Sequence, residues 1–304
     1  MKAEDFIVPA RRDVRASFER AAQSYDAAAV LQREVCDRLA ERLELIKVVP
    51  GPVLDAGCGT GYAKDKLIAR FPGQPVIGVD IAHGMLTQAR AAGPRRSLMH
   101  RAFSGAIGRK PPFHAVCGDI EALPLAPSSI GLVFSNLALQ WCRPAQVFAE
   151  AQRVLWPGGL LMFSTFGPDT LRELRAAFAT VDQRPHVNLF LDMHDVGDLL
   201  VHAGLGDPVM EMETLTLTYA DLKALLRELK AIGAHNVMPG RRAGLMGGDA
   251  WRRVLAAYET RRSGGTLPAT FEVIYGHAWK PLQATHRVRA DGAQVIDFAP
   301  RARR

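Results

Sequence analysis

Three glycines at alternate positions, preceded by an acidic residue, form a segment that could bind a small ligand. The segment from Val53 reads VLDAGCGTG, in which Asp55 precedes Gly57, Gly59 and Gly61. Glycine is required where the backbone takes a positive φ or lies against a ligand, and three glycines in five residues exceed the needs of a simple turn. At the carboxyl end of a first strand, such a turn predicts a bound nucleotide-like molecule.

The spacing of these glycines favours a cationic ligand over a dinucleotide. Dinucleotide-binding folds use G-x-G-x-x-G, whose third glycine lets a helix begin beneath a pyrophosphate, whereas Tyr62 stands at that place here. Asp55 suits a positively charged ligand, and S-adenosylmethionine carries both an ammonium and a sulfonium. Asp80 ends the next predicted strand, where a carboxylate can accept both ribose hydroxyls, and the motif GDI at 118–120 follows a third apolar run. The combination predicts S-adenosylmethionine as the ligand.

The elements that position these residues alternate between strand and helix from residue 52 onward. Alternation of this kind predicts an α/β fold with a doubly wound, mostly parallel sheet of seven strands and helices on both faces. Strands are expected near 52–55, 75–80, 113–117, 130–135, 158–165, 209–219 and 269–279, with a turn at 156–159 leading into the fifth. Helices are expected near 61–71, 82–92, 144–155, 192–203, 220–231 and 249–262.

Helical segments are also expected before the sheet and above its carboxyl edge. Residues 11–47 predict two helices, the second capped by Ser24, and Tyr25 at their junction could fold over the ligand or be an ordinary surface tyrosine. The last two helices and the loop between them, inserted between the last two strands, predict a cap. The expected organisation is a helical lid at 1–48, a ligand-binding core at 49–180, cap helices with the last two strands at 181–280, and a flexible basic tail at 281–304.

Composition limits the class of protein further. The chain has 304 residues, 48% of them hydrophobic, which is enough to bury a full core. It contains no apolar run long enough to cross a bilayer, and its first residues are too acidic for a signal peptide, so we expect a soluble cytoplasmic protein without membrane contact. The four cysteines are too far apart in sequence for a metal site or a disulfide framework, and we expect buried thiols.

The net charge of +7 allows an acidic partner, which could be nucleic acid, a protein or a membrane surface. Six basic residues and no acidic ones lie between Arg90 and Cys117, and the chain ends in RARR. A solvated loop and a frayed tail are the alternative explanation. No aromatic residues interleave with the charges as a base-stacking platform requires, which disfavours nucleic acid.

The motifs resemble a known enzyme family. Residues 50–165 are similar to the class I, Rossmann-like methyltransferases that use S-adenosylmethionine. From Val14 to Pro281 the chain resembles the malonyl-acyl-carrier-protein O-methyltransferases of biotin synthesis. That second resemblance is carried by SNLALQW at 135–141, FSTFGPDTL at 163–171, RPH at 184–186, LKAIGA at 229–234 and PATF at 268–271.

The resemblance implies methyl transfer from S-adenosylmethionine to the free carboxylate of a malonyl thioester on acyl carrier protein, or on coenzyme A. The residues expected to bind S-adenosylmethionine are Asp55, Gly57, Gly59, Gly61, Asp80, Ile81, Asp119, Ile120 and Asn136. The residues expected to position the substrate are Tyr25 and Lys230, with Arg184 and His186. A carboxylate is ionised at neutral pH, so we expect catalysis by alignment and exclusion of water, without a general base or a metal.

An acidic carrier protein would give the basic surface a function. Its docking patch is expected either at Arg241, Arg242, Arg252 and Arg253 or in the cluster at 90–112. An insertion at 94–112, within that second location, departs from the family pattern.

Two other functions are alternatives. A mitochondrial complex I assembly protein, implicated in arginine hydroxylation, is similar around 169–171 and 268–279, but Asn136 and Gln140 match the carboxyl methyltransferases better. A nucleic-acid-binding or RNA-modifying protein is the alternative from another class, suggested by charge alone.

Overall fold

The computed structural model describes residues 8–91, 113–238, 240–241, 244 and 246–282, together with two short strands near the C-terminus. Its central sheet has the strand order β3-β2-β1-β4-β5-β7-β6. The strands are β1 (Val53–Ala56), β2 (Val76–Asp80), β3 (Phe113–Cys117), β4 (Ile130–Asn136), β5 (Leu155–Phe166), β6 (Gly206–Tyr219) and β7 (Leu267–Trp279). Strands β1 to β5 pair in parallel, and β7 is antiparallel to both of its neighbours. The predicted fold class is therefore confirmed.

Helices cover both faces of this sheet. They are α1 (Arg11–Ala21), α2 (Tyr25–Ala28), α3 (Val30–Glu44), α4 (Lys64–Arg70), α5 (His83–Ala91), α6 (Pro144–Val154), α7 (Arg172–Ala179), α8 (Met193–His202), α9 (Leu222–Ala231) and α10 (Gly248–Glu259). Side chains alternate along a strand, so Val53 packs with α3 and α4 in one core cluster while its neighbour Leu54 packs with α6 and α8 in another. Burial on both faces explains why the inner strands are continuous apolar runs.

The predicted cap is present between β6 and β7, where α9 and α10 lie. Asp221 begins α9 by accepting a hydrogen bond from the backbone N–H of Ala224. None of the helices in the part of the chain that the structure describes is long and apolar enough to cross a membrane.

The N-terminal segment differs from the expected helix pair. Three helices, α1 to α3, occupy it, and Ala29 separates the second from the third. Ser24 makes no N-terminal cap, contrary to the prediction. Its hydroxyl instead donates to the carbonyls of Ala21 and Ala231, the second at 2.8 Å, and so joins the N-terminal segment to the end of α9.

Some local predictions were also wrong. The turn expected at 156–159 is part of β5, which takes a bulge where Gly158 adopts a positive φ of 82°. Cys117 is exposed rather than buried, because it ends an edge strand.

Other predictions fall on residues outside the described part of the chain. They concern the basic insertion at 94–112 and the side chain of Arg242. In the predicted tail at 281–304, the structure describes a pairing of β8 (Arg287–Val288) with β9 (Gln294–Val295) beyond residue 282.

Candidate active site

The glycine turn after β1 has the backbone that its sequence requires. Gly57, Gly59 and Gly61 all adopt positive φ, at 77°, 53° and 80°. A side chain at Gly57 would collide with Ala138 in the loop after β4, whereas no atom of the described residues lies within 4 Å of a Cβ placed at Gly59. A Cβ at Gly61 would press on Ala89 of α5, 3.0 Å away. The first two glycines therefore shape a ligand cleft, and the third allows close helix packing.

Asp80, at the end of β2, holds the glycine turn in place. Its Oδ2 accepts a hydrogen bond from the Gly59 backbone N–H at 2.9 Å, and its Oδ1 accepts one from Ala82 at 2.9 Å. Burial raises the pKa of Asp80 to about 6, although these backbone hydrogen bonds oppose the shift. The carboxylate is thus fixed at the edge of the cleft, as the sequence predicts.

Asp55, at the end of β1, carries an unsatisfied buried oxygen. The residue is 2% exposed, and its Oδ2 has no hydrogen-bond partner among the described residues. Burial, with a further contribution from the charge of Asp80, raises the pKa of Asp55 to about 7. A buried carboxylate without a partner is unfavourable unless a positive charge accompanies it. The site therefore fits a cationic ligand such as S-adenosylmethionine.

Most of the predicted binding residues meet in one cleft at the carboxyl ends of the parallel strands. They are Gly57, Gly59, Asp80, Ile81, Asp119, Ile120 and Asn136. Asp55 borders a smaller cavity that shares Tyr25, Gly57, Gly59 and Asn136 with this cleft. Gly61 lines neither cavity. We refer to the two cavities together as the cofactor cleft.

Helices α1 and α2 cover the cofactor cleft. Phe18 of α1 packs edge-on against Trp141, with ring centroids 5.3 Å apart, and Glu19 accepts a hydrogen bond from the Gly84 backbone N–H at 2.9 Å. Tyr25 lines the cleft from α2. Burial, together with the charges of Asp80 and Asp26, raises the pKa of Tyr25, so its phenol remains protonated and can donate a hydrogen bond.

Asn136 links the end of β4 to its surroundings. Its Nδ2 donates to the carbonyl of Gln32 at 2.9 Å, and its Oδ1 accepts from the Ser164 hydroxyl at 2.8 Å. Leu137 follows with a positive φ of 48°, and its N–H also donates to Ser164. Asn136 thus holds the loop that separates the cofactor cleft from the next cavity.

A second cavity of about 310 Å³ opens beyond Trp141, which borders both spaces. We call it the acceptor chamber. Lys230 and His186 line it, and the His186 ring stacks on Phe178 at 4.1 Å and contacts Asp182 through Nε2 at 2.7 Å. Of the other two residues predicted to position the substrate, Tyr25 lies in the cofactor cleft. Arg184 is exposed and lines neither cavity.

Comparison with known proteins identifies the family. A family model described as a methyltransferase domain matches residues 54–163, the segment that forms most of the cofactor cleft. The malonyl-[acyl-carrier protein] O-methyltransferase of Gallionella capsiferriformans is 54% identical over 294 residues, covering 96% of this chain and 97% of that protein. That of Laribacter hongkongensis is 54% identical over 290 residues, covering 95% and 96%. The chain belongs to the malonyl-[acyl-carrier protein] O-methyltransferase family.

Solved structures share the fold of this methyltransferase. A protein from Bacillus halodurans matches with a TM-score of 0.53 and 18% identity, covering 80% of this chain and 98% of its own. The YcgJ protein from Bacillus subtilis matches with a TM-score of 0.53 and 15% identity, covering 82% and 98%. At sequence identities this low, the structural similarity shows a shared fold and nothing about function.

Membership of the malonyl-[acyl-carrier protein] O-methyltransferase family confirms the predicted enzyme class and its methyl donor, S-adenosylmethionine. The similarity to these relatives covers 95–96% of this chain and therefore includes the cap, as the carboxyl methyltransferase prediction requires. The two alternatives, a complex I assembly protein and a nucleic-acid-binding protein, are not favoured.

Sequence reasoning missed several residues of this methyltransferase site. Arg11 and Phe18 of α1 line the cofactor cleft, and Asn188 and His235 line the acceptor chamber. Their segments carry no motif that marks a site, and α1 is recognisable only as an amphipathic helix. For His235, the preceding LKAIGA motif was the one available signal.

Proposed function

We propose that this protein transfers the methyl group of S-adenosylmethionine to the free carboxylate of a malonyl unit held as a thioester on acyl carrier protein. The observation that carries the proposal is the position of Trp141 on the boundary between the cofactor cleft and the acceptor chamber. A methyl donor in the cleft and an acceptor in the chamber would meet beside this side chain. The names of the relatives supply the acceptor.

The reaction needs alignment more than proton transfer. S-adenosylmethionine supplies an electrophilic methyl group when it is bound. A malonyl carboxylate is ionised at neutral pH and needs no base. Tyr25, held protonated by its surroundings, is suited to donate a hydrogen bond rather than to remove a proton. The chain's contribution is then to hold the carboxylate in line and to exclude water, which α1, α2 and the cap favour by covering the two cavities.

Acceptor recognition is assigned to the residues that line the chamber. Lys230 and His186 are proposed to contact the malonyl carboxylate or the thioester arm beside it, with Tyr25 acting from the cofactor cleft. Arg184 receives no role in carboxylate recognition because its side chain is exposed outside both cavities.

The carrier protein is proposed to dock on the basic surface beside the chamber. Arg241 lines the chamber, and exposed Arg252 and Arg253 lie on α10, the helix that follows the loop of Arg241. These three arginines complement an acidic carrier, and Arg252 is also ion-paired with Asp249 of the same helix. A coenzyme A thioester is the competing acceptor, and it would gain nothing from a protein-sized docking patch.

One assay tests the function. The protein is incubated with S-adenosylmethionine labelled in its methyl group and with malonyl-carrier, and the acyl group is analysed by mass spectrometry. A single added methyl that mild base removes is expected. Acetyl-carrier, which lacks the free carboxylate, is the matched control and should gain no label. Label on the carrier polypeptide, on RNA added in parallel, or on acetyl-carrier to the same extent would contradict the proposal.

A further inference from the structure

Helix α1 presents two neighbouring stripes of side chains to different parts of the molecule. Arg11, Val14 and Phe18, spaced by three and four residues, line the cofactor cleft. Ser17 and Ala21 form the second stripe and are only 2% and 4% exposed. Ser17 lines neither the cofactor cleft nor the acceptor chamber in the described part of the chain. The second stripe is therefore covered by another segment of the protein.

The covering segment is the chain at the end of α9, which belongs to the cap. Gly233 has a positive φ of 74°, and a Cβ placed on it would lie 3.2 Å from both the Ala21 Cβ and the Ser17 carbonyl oxygen. Glycine therefore allows the two backbones to approach this closely. Beside this contact, the Ser24 hydroxyl donates to the carbonyl of Ala231 at 2.8 Å. The cap thus packs directly on the N-terminal helices.

One contact between side chains joins the cap to the second stripe. The Nε2 atom of His235 lies 3.0 Å from the Oγ atom of Ser17. Burial lowers the pKa of His235, and the positive charges of three neighbouring side chains lower it further, namely those of Arg20, Arg241 and Lys230. The imidazole is therefore neutral, and it can pair with a hydroxyl without adding a fourth positive charge.

His235 and Phe18 belong to different cavities although Ser17 lies between them. His235 lines the acceptor chamber, and Phe18 lines the cofactor cleft and packs on Trp141, which borders both. Because α1 is a single helix, it cannot move away from the cofactor cleft without also breaking the contact between Ser17 and His235. One rigid element is thus held from both cavities.

We propose that His235 is a positioning residue, which through Ser17 holds α1 over the cofactor cleft and so couples donor binding to the acceptor chamber. A ligand that holds α1 in place at one cavity reduces the cost of holding it at the other, so each ligand should raise the affinity for the other by the same factor. The coupling to the acceptor rests on the proposed function. The effect of His235 on the donor does not, because family membership establishes the donor.

The first test measures the dissociation constant of S-adenosylhomocysteine by calorimetry, without any acceptor. Ser17→Ala and His235→Leu should each weaken binding about threefold to fivefold, the effect of one hydrogen bond, although neither side chain lines the cofactor cleft. The double variant should bind no more weakly than the single variants, because both substitutions remove the same contact. His235→Gln, whose amide can take the place of Nε2, should bind within about twofold of the wild type.

Ser129→Ala is the matched control for this test. The Ser129 hydroxyl donates to the carbonyl of Ala126, and the residue lines neither cavity. Its affinity for S-adenosylhomocysteine should equal that of the wild type. Unchanged affinity in His235→Leu would overturn the proposal. Additive losses in the double variant would also contradict it, because His235 and Ser17 would then act separately.

A second test uses the wild-type protein alone. Hydrogen–deuterium exchange is followed in residues 231–238, a segment that contributes to the acceptor chamber and not to the cofactor cleft. Saturation with S-adenosylhomocysteine should slow exchange in this segment at least about threefold, because the ligand holds α1 and α1 holds the segment. Slower exchange in α1 with no change in 231–238 would show that the donor does not act on the cap, and would reject the coupling.

The third test adds an acceptor. S-adenosylhomocysteine has no methyl group to transfer, so its binding can be titrated at saturating malonyl-pantetheine without turnover. The acceptor should lower its dissociation constant about fivefold in the wild type and less than about twofold in Ser17→Ala. An equal effect in both proteins would remove Ser17 and His235 from the coupling. If malonyl-pantetheine neither binds nor is methylated, the proposed function fails, and the first two tests still decide the role of His235.

Discussion

Arg11 Nη1 lies 2.6 Å from Asp119 Oδ2 and joins α1 to the loop after β3 across the cofactor cleft. The second guanidinium nitrogen contacts Glu121 at 2.5 Å, and the same carboxylate accepts a hydrogen bond from Arg143. These contacts hold α1 against the residues that follow β3, where the methyl donor is expected to bind. Because the Arg11 side chain is 44% exposed, its ion pairs stabilise the fold only modestly, by about 1 kcal/mol or less.

Removing the ion pairs of Arg11 should therefore affect the rate of ligand exchange more than the stability of the fold. For Arg11→Ala we expect the dissociation rate of S-adenosylhomocysteine to rise about threefold, while the free energy of unfolding falls by less than about 1 kcal/mol. Stopped-flow displacement and urea unfolding measure the two quantities. Arg12→Ala is the matched control, since Arg12 is 89% exposed and contacts Asp13 within the same helix. Equal dissociation rates in both variants would show that Arg11 does not hold α1 over the cofactor cleft.

Gly57 and Gly73 have the same backbone conformation, so alanine substitutions at the two positions distinguish an effect on stability from an effect on ligand binding. Gly57 and Gly73 have φ of 77° and 85°, but an added Cβ meets Ala138 at Gly57, whereas at Gly73 it meets no atom within 4 Å in the part of the chain that the structure describes. Alanine should cost about 1 kcal/mol of stability at either position through backbone strain. At Gly57 the collision with Ala138 adds to that cost and distorts the cleft.

Gly57→Ala should accordingly lower the affinity for S-adenosylmethionine by at least about tenfold, whereas Gly73→Ala leaves it unchanged. Calorimetric titration with thermal unfolding on the same samples distinguishes these effects. Loss of affinity in both variants would mean that general destabilisation, and not the shape of the cleft, is responsible.

The sequence was sufficient to place the cofactor cleft because strand ends carry its main residues. Asp55, Gly57 and Asp80 each follow a recognisable apolar run, and parallel strands bring their carboxyl ends to one edge. The register of the sheet then fixes which side chains meet. The apolar runs that predict the strands therefore also predict where the residues of the cofactor cleft lie.

The acceptor chamber was not predictable in the same way. Asn188 and His235 lie in irregular segments, so no helical or strand period indicates which way their side chains point. The break between α2 and α3 at Ala29 is likewise unmarked by glycine or proline. The exposure of Cys117 depends on β3 being an edge strand, and strand order is a property of the whole sheet.

Charge on α10 provides the test of carrier docking. Replacing both Arg252 and Arg253 by Glu should lower kcat/KM for malonyl-carrier about tenfold at low salt and leave that for malonyl-pantetheine unchanged, because only the carrier presents an acidic surface. Raising the ionic strength should weaken the wild-type reaction with carrier far more than that with the small thioester.

Lys47→Glu serves as the control for this reversal. Lys47 is exposed and lies shortly before β1 begins, at the edge of the sheet opposite the cleft. A similar decrease in the Lys47 variant would attribute the effect to net charge and remove Arg252 and Arg253 from the docking surface.

Asp55 should make both stability and ligand binding depend on pH. Its pKa of about 7 in the folded protein lies above its usual value of 3.8, so the folded state holds the proton more tightly than the unfolded state does. The resulting stability is fully present below about pH 4 and is lost as the pH rises towards 7. Asp55→Asn has no proton to lose at this position, so its stability does not fall in this way as the pH rises. At pH 8 and without ligand, the variant should be more stable than the wild type by up to about 4 kcal/mol, because the pKa of Asp55 is about three units higher in the folded state than in the unfolded state.

The affinity for S-adenosylmethionine should rise over the pH range in which the stability of the ligand-free protein falls. A cationic ligand stabilises the ionised carboxylate, so the affinity of the wild type for S-adenosylmethionine should increase from pH 5 to about 7 and then level off. Asp55→Asn should bind at least about tenfold more weakly at pH 8 and lose this part of the pH dependence. Asp65→Asn, at an exposed acid of α4, should retain both properties. If Asp55→Asn gained stability but bound S-adenosylmethionine as the wild type does, the unpaired carboxylate would not be the partner of the donor's positive charge.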